Sequence, residues 1–141
     1  MTDKIKAITD KEFPLVSNLA NASAVLAEMH DINWCGFYIA DGDTLYVGPF
    51  QGDPACVKIP FGKGVCGTAA INAQTVIVED VHKFPGHIAC SELSASEIVV
   101  PIIKDGKCLA VIDIDSPLLS RFDESDAKEL EEIAEHLKSL F

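Results

Sequence analysis

The spacing of apolar residues changes period several times along the chain. In "KEFPLVSNLANASAVLAEMH", residues 11–30, apolar or small side chains recur at Phe13, Val16, Leu19/Ala20, Ser23, Leu26/Ala27 and His30. That three-to-four-residue rhythm predicts a helix, with Pro14 in the first turn, where its missing N–H costs nothing. The period then drops to two. "NWCGFYIADGDTLYVGPF" places aromatic and β-branched residues on both sides of Asp41-Gly42-Asp43, a turn signal, and predicts hairpin strands near 33–40 and 44–50. "ACVKIP", 55–60, reads as a short strand, and "FGKGVCGTAAINAQ" as a glycine loop running into a short helix near Gly64 or Val65. "TVIVED" has the composition of a buried strand, and 81–95 shows no period. "SEIVVPIIKDGKCLAVIDIDS" predicts a second hairpin, turning at Lys104-Asp105-Gly106-Lys107. "FDESDAKELEEIAEHLKSLF" predicts a C-terminal amphipathic helix capped by Asp123, with Asp126 three residues on. Its apolar stripe is Ala127, Leu130, Ile133/Ala134, Leu137 and Leu140.

The resulting order is helix, hairpin, strand, short helix, strand, loop, hairpin, helix. No internal repeat, low-complexity tract or linker interrupts it, so residues 1–141 are expected to form a single α+β domain. Its antiparallel sheet would carry the N- and C-terminal helices on one face. The short helix and the long loop 81–95 would cover the other, and a loop of that length is usually functional.

Composition narrows the partners. Hydrophobic residues make up 48% of the chain, enough for a core, and the formal net charge is −11. Such a surface repels phosphate backbones and anionic headgroups, so neither nucleic acid nor a membrane is an expected partner. No run of 18 apolar residues occurs, and the first residues lack the apolar stretch of a secretory signal. A cytoplasmic location is therefore expected, where thiols stay reduced.

Five cysteines are present: Cys35, Cys56, Cys66, Cys90 and Cys108. The odd count and the absence of any C-x-x-C pair argue against a disulfide framework or a zinc ribbon. Cys35 and Cys108 lie in β runs and read as packing residues. Cys66, in the first turn of a short helix, would be the most acidic thiol by its position at the helix dipole; a core residue is the other reading. Cys90 sits in "FPGHIACSE", three residues from His87, whose positive charge would lower its pKa if the two met. A metal site from Cys56, Cys66, Cys90 and His87 fits by ligand type but not by any structural-motif spacing, and no metal is expected. In "VIDIDS", alternation puts Asp113 and Asp115 on one face, and a four-residue turn brings Glu97 to the same end. Three carboxyls together raise one another's pKa and suit an ammonium group, a metal ion or a general acid.

"GKGVCGTAA", "EDVHKFPGHIACSE", "SEIVVPI" and "AVIDIDSPLLSRFDESD" closely resemble the GAF-domain free methionine-(R)-sulfoxide reductases. The resemblance runs from about residue 33 to 130, and "HIAC" with "DIDS" sets it apart from sensory GAF domains. It implies a six-stranded antiparallel sheet between helices and no cofactor. It also implies thiol-dependent reduction of free methionine-(R)-sulfoxide with Cys90 as nucleophile, Cys56 as resolving thiol and Cys66 in the pocket, able to form an alternative disulfide. Trp34 and Tyr38 would pack around the methyl-thio end, while Glu97, Asp113 and Asp115 would bind the polar groups and help protonate the sulfoxide oxygen. A thioredoxin-like reductant would restore the thiols. The oligomeric state, a homodimer included, stays open. So does the choice of proton-donating acid. The rival expectations are a ligand-sensing GAF module without turnover, which would normally be joined to an output domain, and a thiol redox sensor.

Overall fold

The computed structural model describes residues 1–87 and 93–141. Two helices open the chain, α1 (Thr2–Ile8) and α2 (Leu15–Leu26). The strands β1 (Trp34–Asp41), β2 (Thr44–Gln51) and β3 (Lys58–Pro60) follow, then helix α3 (Gly64–Asn72) and strand β4 (Val76–Val78). After a 3-10 turn at Val81–Lys83 come β5 (Ser96–Lys104), β6 (Lys107–Ser116) and helix α4 (Glu124–Lys138). The six strands form one sheet in the order β3-β2-β1-β6-β5-β4, every pair antiparallel.

Both expected hairpins close as their turn residues dictate. Asp105 and Gly106 take φ of 53° and 76°, which aligns Lys104 with Lys107, and Gly42 takes φ of 60° between Asp41 and Thr44. Helix α4 carries a full capping box: Asp123 accepts the Asp126 amide at 3.0 Å, and Asp126 accepts the Asp123 amide at 3.0 Å. Of its predicted stripe, Ala127, Leu130, Ile133, Ala134 and Leu137 are buried, while Leu140, just past the helix end, is half-buried.

The N-terminal segment departs from the expected pattern. Helix α1 had no counterpart in the sequence reading, and it buries Ile5 against α2 and α4. Helix α2 buries Leu19, Ser23 and Leu26 of the predicted stripe together with Asn18, Ala22 and Val25, but Phe13, ahead of the helix, and Val16 are 54% and 63% exposed. Asn18, a polar residue on the buried side, is satisfied by the backbone of Asp10. Its side chain donates to the Asp10 carbonyl at 2.8 Å and accepts the Asp10 amide at 3.1 Å, closing the reversal between the two helices. The expected strand at 55–60 shrinks to Lys58–Pro60, and β4, at the sheet edge, has only Val78 fully buried.

Alternation along the central strands splits the interior in two. Cys35, Phe37, Ile98, Val100, Ile102, Ile112 and Ile114 point to one face, where α1, α2 and α4 cover them. Trp34, Tyr38, Val99 and Val111 point to the other and meet Val65, Cys66, Ala69 and Ala70 of α3. Gly67 lets α3 seat this closely, since a Cβ there would come within 2.5 Å of the Pro60 carbonyl oxygen. The two terminal helices thus share a face as expected, and α3 lies on the opposite one, with His87, Leu93 and Ser94 on the same side. Val81 N–H bonds the Ala95 carbonyl at 2.9 Å, and Ala95 N–H bonds that of Ser116 at 2.7 Å.

Candidate active site

On the α3 face a cavity of about 360 Å³ opens at the end of the sheet. The strand register explains its lining. Glu97 of β5 stands opposite Asp115 of β6, Val99 opposite Asp113, and across β6 the partners of Asp115 and Asp113 are Trp34 and Gly36 of β1. Because side chains two apart on a strand share a face, Glu97, Asp113, Asp115, Trp34 and Tyr38 converge on one chamber. Cys66 enters it from the first turn of α3, and His87, Leu93 and Ser94 border it from the loop. Glu97 and Asp113 are 7% and 5% exposed, respectively.

Burial governs the protonation of these acids. It holds Glu97 well above the usual carboxylate range, and the charges of Asp113 and Asp115 push it further. The adjacent carboxyls of both aspartates favour the protonated form of Glu97. Asp115 is also well above its ordinary value, through burial and the charge of Asp113. Asp113 rises too, through burial, opposed by hydrogen bonds from Glu97 and Cys66 and by His87. All three acids therefore hold their protons to higher pH than exposed carboxyls do, Glu97 and Asp115 more strongly than Asp113.

The expected acidity of Cys66 is overturned. Burial pushes its thiol well above the ordinary value, and Asp113, Glu97 and Asp115 push it further. Two nearly buried carboxyls outweigh the half-charge of a nine-residue helix. His87 does not serve as a standing cation either, since burial and His82 lower its pKa. Cys35, 1% exposed, is pushed up to about 12 by burial, and Cys108 to about 11, as suits packing residues.

Cys56 is half-buried and disulfide-bonded, whereas Cys35, Cys66 and Cys108 are free thiols. Cys90 lies outside the described residues. The 51–57 segment that carries Cys56 is strapped to the aromatic floor. Trp34 Nε1 donates to the Asp53 carbonyl at 3.1 Å, and the Tyr38 hydroxyl donates to that of Cys56 at 3.0 Å. Gly52, at φ 134°, permits the contact: a Cβ there would meet the Trp34 ring at 2.7 Å. Phe50 stacks on Trp34 with centroids 5.1 Å apart, and Tyr38 at 5.9 Å.

Three features escaped the sequence reading. Asn33 donates through Nδ2 to Ser94 Oγ at 3.3 Å, and its Oδ1 is buried without a partner among the described residues. Its amide bonds the Asp115 carbonyl at 2.9 Å, and a polar residue just ahead of Trp34 was the available signal. At the mouth, exposed Lys63 precedes α3, and the amides of Gly64, Val65 and Cys66 have no backbone partner among the described residues. A metal-type donor set also forms, from Cys66, Glu97 and Asp113 rather than the cysteine–histidine set considered from ligand type.

Residues 14–139 match the GAF domain family. The chain is 47% identical over 135 residues to the free methionine-R-sulfoxide reductase of Escherichia coli, covering 95% of this chain and 82% of that protein. It is 50% identical over 138 residues to the free methionine-R-sulfoxide reductase of Saccharomyces cerevisiae, covering 92% and 77%. The fold superposes with a TM-score of 0.94 on the X-ray structure of free methionine-R-sulfoxide reductase from Neisseria meningitidis in complex with its substrate, at 48% identity over 99% of this chain and 85% of that one. Sequence and fold agree over nearly the whole length, and this protein belongs to the GAF-domain free methionine-(R)-sulfoxide reductase family.

Proposed function

We propose that this protein reduces free L-methionine-(R)-sulfoxide to methionine at the cavity over β1, β5 and β6. The observation that carries the reading is the set of buried Glu97 and Asp113 with half-buried Asp115, beside the apolar wall of Trp34 and Tyr38. A free amino acid brings an ammonium and a carboxylate. Asp113, with Asp115 and the buried Asn33 Oδ1, receives the ammonium. Lys63 and the open amides of α3 receive the carboxylate. A peptide-bound sulfoxide has neither terminus to offer. The methyl-thio end rests on Trp34 and Tyr38.

Cys90 sulfur attacks the sulfoxide sulfur while Glu97 delivers its proton to the departing oxygen. That proton makes the sulfoxide sulfur electrophilic. The S–O bond breaks and the oxygen leaves as water, with Cys90, its thiol proton lost, bonded to the sulfonium sulfur. A water then attacks the Cys90 sulfur, the S–S bond breaks, methionine leaves, and Cys90 is left as a sulfenic acid. Cys56 thiol then attacks the Cys90 sulfur, water departs, and a disulfide closes. Support for this pairing is that Cys56 is disulfide-bonded while Cys35, Cys66 and Cys108 are free. Cys66 stays a bystander thiol in this reading. A dithiol of the thioredoxin class reduces the disulfide and resets the cycle. No helix is long and apolar enough to cross a membrane among the described residues, which fits a freely diffusing reductant and a cytoplasmic setting.

The test is turnover of free R, free S and peptidyl sulfoxide by the wild type and each cysteine-to-serine variant, with dithiothreitol as reductant. Reduction confined to the free R epimer, and abolished in Cys90→Ser, is the expected result. Disulfide formation driven by peroxide alone, with no discrimination between epimers and no methionine produced, would instead make the protein a thiol redox sensor.

A further inference from the structure

One nucleophilic group in the chamber has no task in this chemistry. Cys66 is a free thiol, 4% exposed, facing the acids from α3. Its Sγ, one oxygen of Glu97 and one oxygen of Asp113 all lie within 4.8 Å of one another. The three come from separate elements, α3, β5 and β6, so packing rather than local sequence holds them together. A second observation points to a missing partner. Asp113 is 5% exposed, lines the cavity, and its Oδ1 is buried without a hydrogen bond among the described residues. Such an orphaned acceptor is costly unless something binds it.

We propose that Cys66, Glu97 and Asp113 form a binding site for a thiophilic divalent cation of the zinc class, and that its occupancy excludes substrate. The donor chemistry selects the ion. Calcium and magnesium require six or more oxygen ligands, whereas one sulfur with two carboxylate oxygens suits zinc or cobalt. Tetrahedral zinc, with bonds of about 2.0–2.3 Å, spaces its ligands roughly 3.3–3.8 Å apart. Atoms already within 4.8 Å therefore need only side-chain contraction to reach that spacing. The cavity supplies the fourth position for water. Coordination releases the thiol proton to solvent, and no redox change is involved. The net charge of −11 draws cations to the protein. An ammonium ligand uses the carboxylates alone, so the sulfur separates the two kinds of cation. Because Cys66 is free while Cys56 is disulfide-bonded, the site persists in the oxidised protein. Exclusion of substrate rests on the reductase reading; binding of the metal does not.

The full chain, oxidised so that Cys56 is disulfide-bonded and then desalted, is titrated with cobalt(II) chloride. A thiolate-to-cobalt charge-transfer band saturating at one equivalent, displaced by zinc, is expected. It should vanish in Cys66→Ser, weaken at least tenfold in apparent affinity in Asp113→Asn, and survive in Cys35→Ser and Cys108→Ser. Asp113→Asn keeps the test open should Cys66→Ser fail to fold. In turnover assays zinc should raise the apparent KM for the sulfoxide in proportion to its concentration. No band in the wild type, or a band that persists in folded Cys66→Ser, overturns the site. A normal band with turnover unaffected by zinc overturns the exclusion. Absence of turnover without metal would count against the reductase reading alone, leaving the cobalt spectrum to decide the site.

Discussion

The Tyr38 hydroxyl donates a 3.0 Å hydrogen bond to the backbone carbonyl of Cys56. One side chain thus forms part of the apolar wall and also ties down the segment bearing the proposed resolving thiol. Burial and the neighbouring acids raise the pKa of Tyr38, so it stays a neutral donor. Tyr38→Phe keeps the ring and removes the tether. Disulfide closure should slow by about fivefold, the kinetic equivalent of roughly 1 kcal/mol for one hydrogen bond. The first equivalent of methionine should appear at the normal rate. Rapid-quench detection of methionine, alongside trapping of the sulfenic acid, separates the two steps.

Glu97 is the proposed proton donor of the acid cluster, its pKa raised by burial and by the charges of Asp113 and Asp115, and Glu97→Gln keeps its shape without a transferable proton. Reduction should fall on the order of a hundredfold or more, the usual contribution of a positioned acid. Activity of the wild type should decline as pH rises through the raised Glu97 pKa, and this limb should be absent from the residual rate of Glu97→Gln. Rate profiles against pH for both proteins check it.

The same cluster links stability to pH. Glu97, Asp113 and Asp115 keep their protons to higher pH in the folded protein than in the unfolded chain. Their contribution is complete below the ordinary carboxylate range, about pH 4, and is lost as pH rises through the raised values. Thermal midpoints should therefore fall from mildly acidic to alkaline pH. Glu97→Gln, neutral throughout, should show a shallower decline and a higher midpoint at pH 8. Calorimetry across the pH range is the measurement.

Leu130 lies in the helix-side core, across the sheet from the cavity. Leu130→Ala should cost about 2–5 kcal/mol of stability, the range for opening a buried leucine-sized void. The KM for free sulfoxide should not move in the folded fraction. Denaturant unfolding combined with kinetics at low temperature tests whether the two faces are energetically separate.

The amino-acid sequence by itself determined the elements whose causes are local. The Asp105-Gly106 turn, the Asp123–Asp126 capping box and the α4 stripe follow from neighbours a few residues apart, and the same alternation put Asp113 and Asp115 on one face. The family motifs added the fold and the reaction class. What only the tertiary structure decided depends on distant partners. Asn18 is buried because its side chain closes on the backbone of Asp10, a pairing no periodicity records. Cys66 looked acidic from its helix position and turned out strongly disfavoured as a thiolate, because β5 and β6 bring carboxyls to it from 31 and 47 residues away along the chain. Asn33 and the strap over Trp34 were equally out of reach. Protonation and hydrogen-bond satisfaction are set by what burial removes and by which charges remain close, and a chain shows neither until the sheet has assembled.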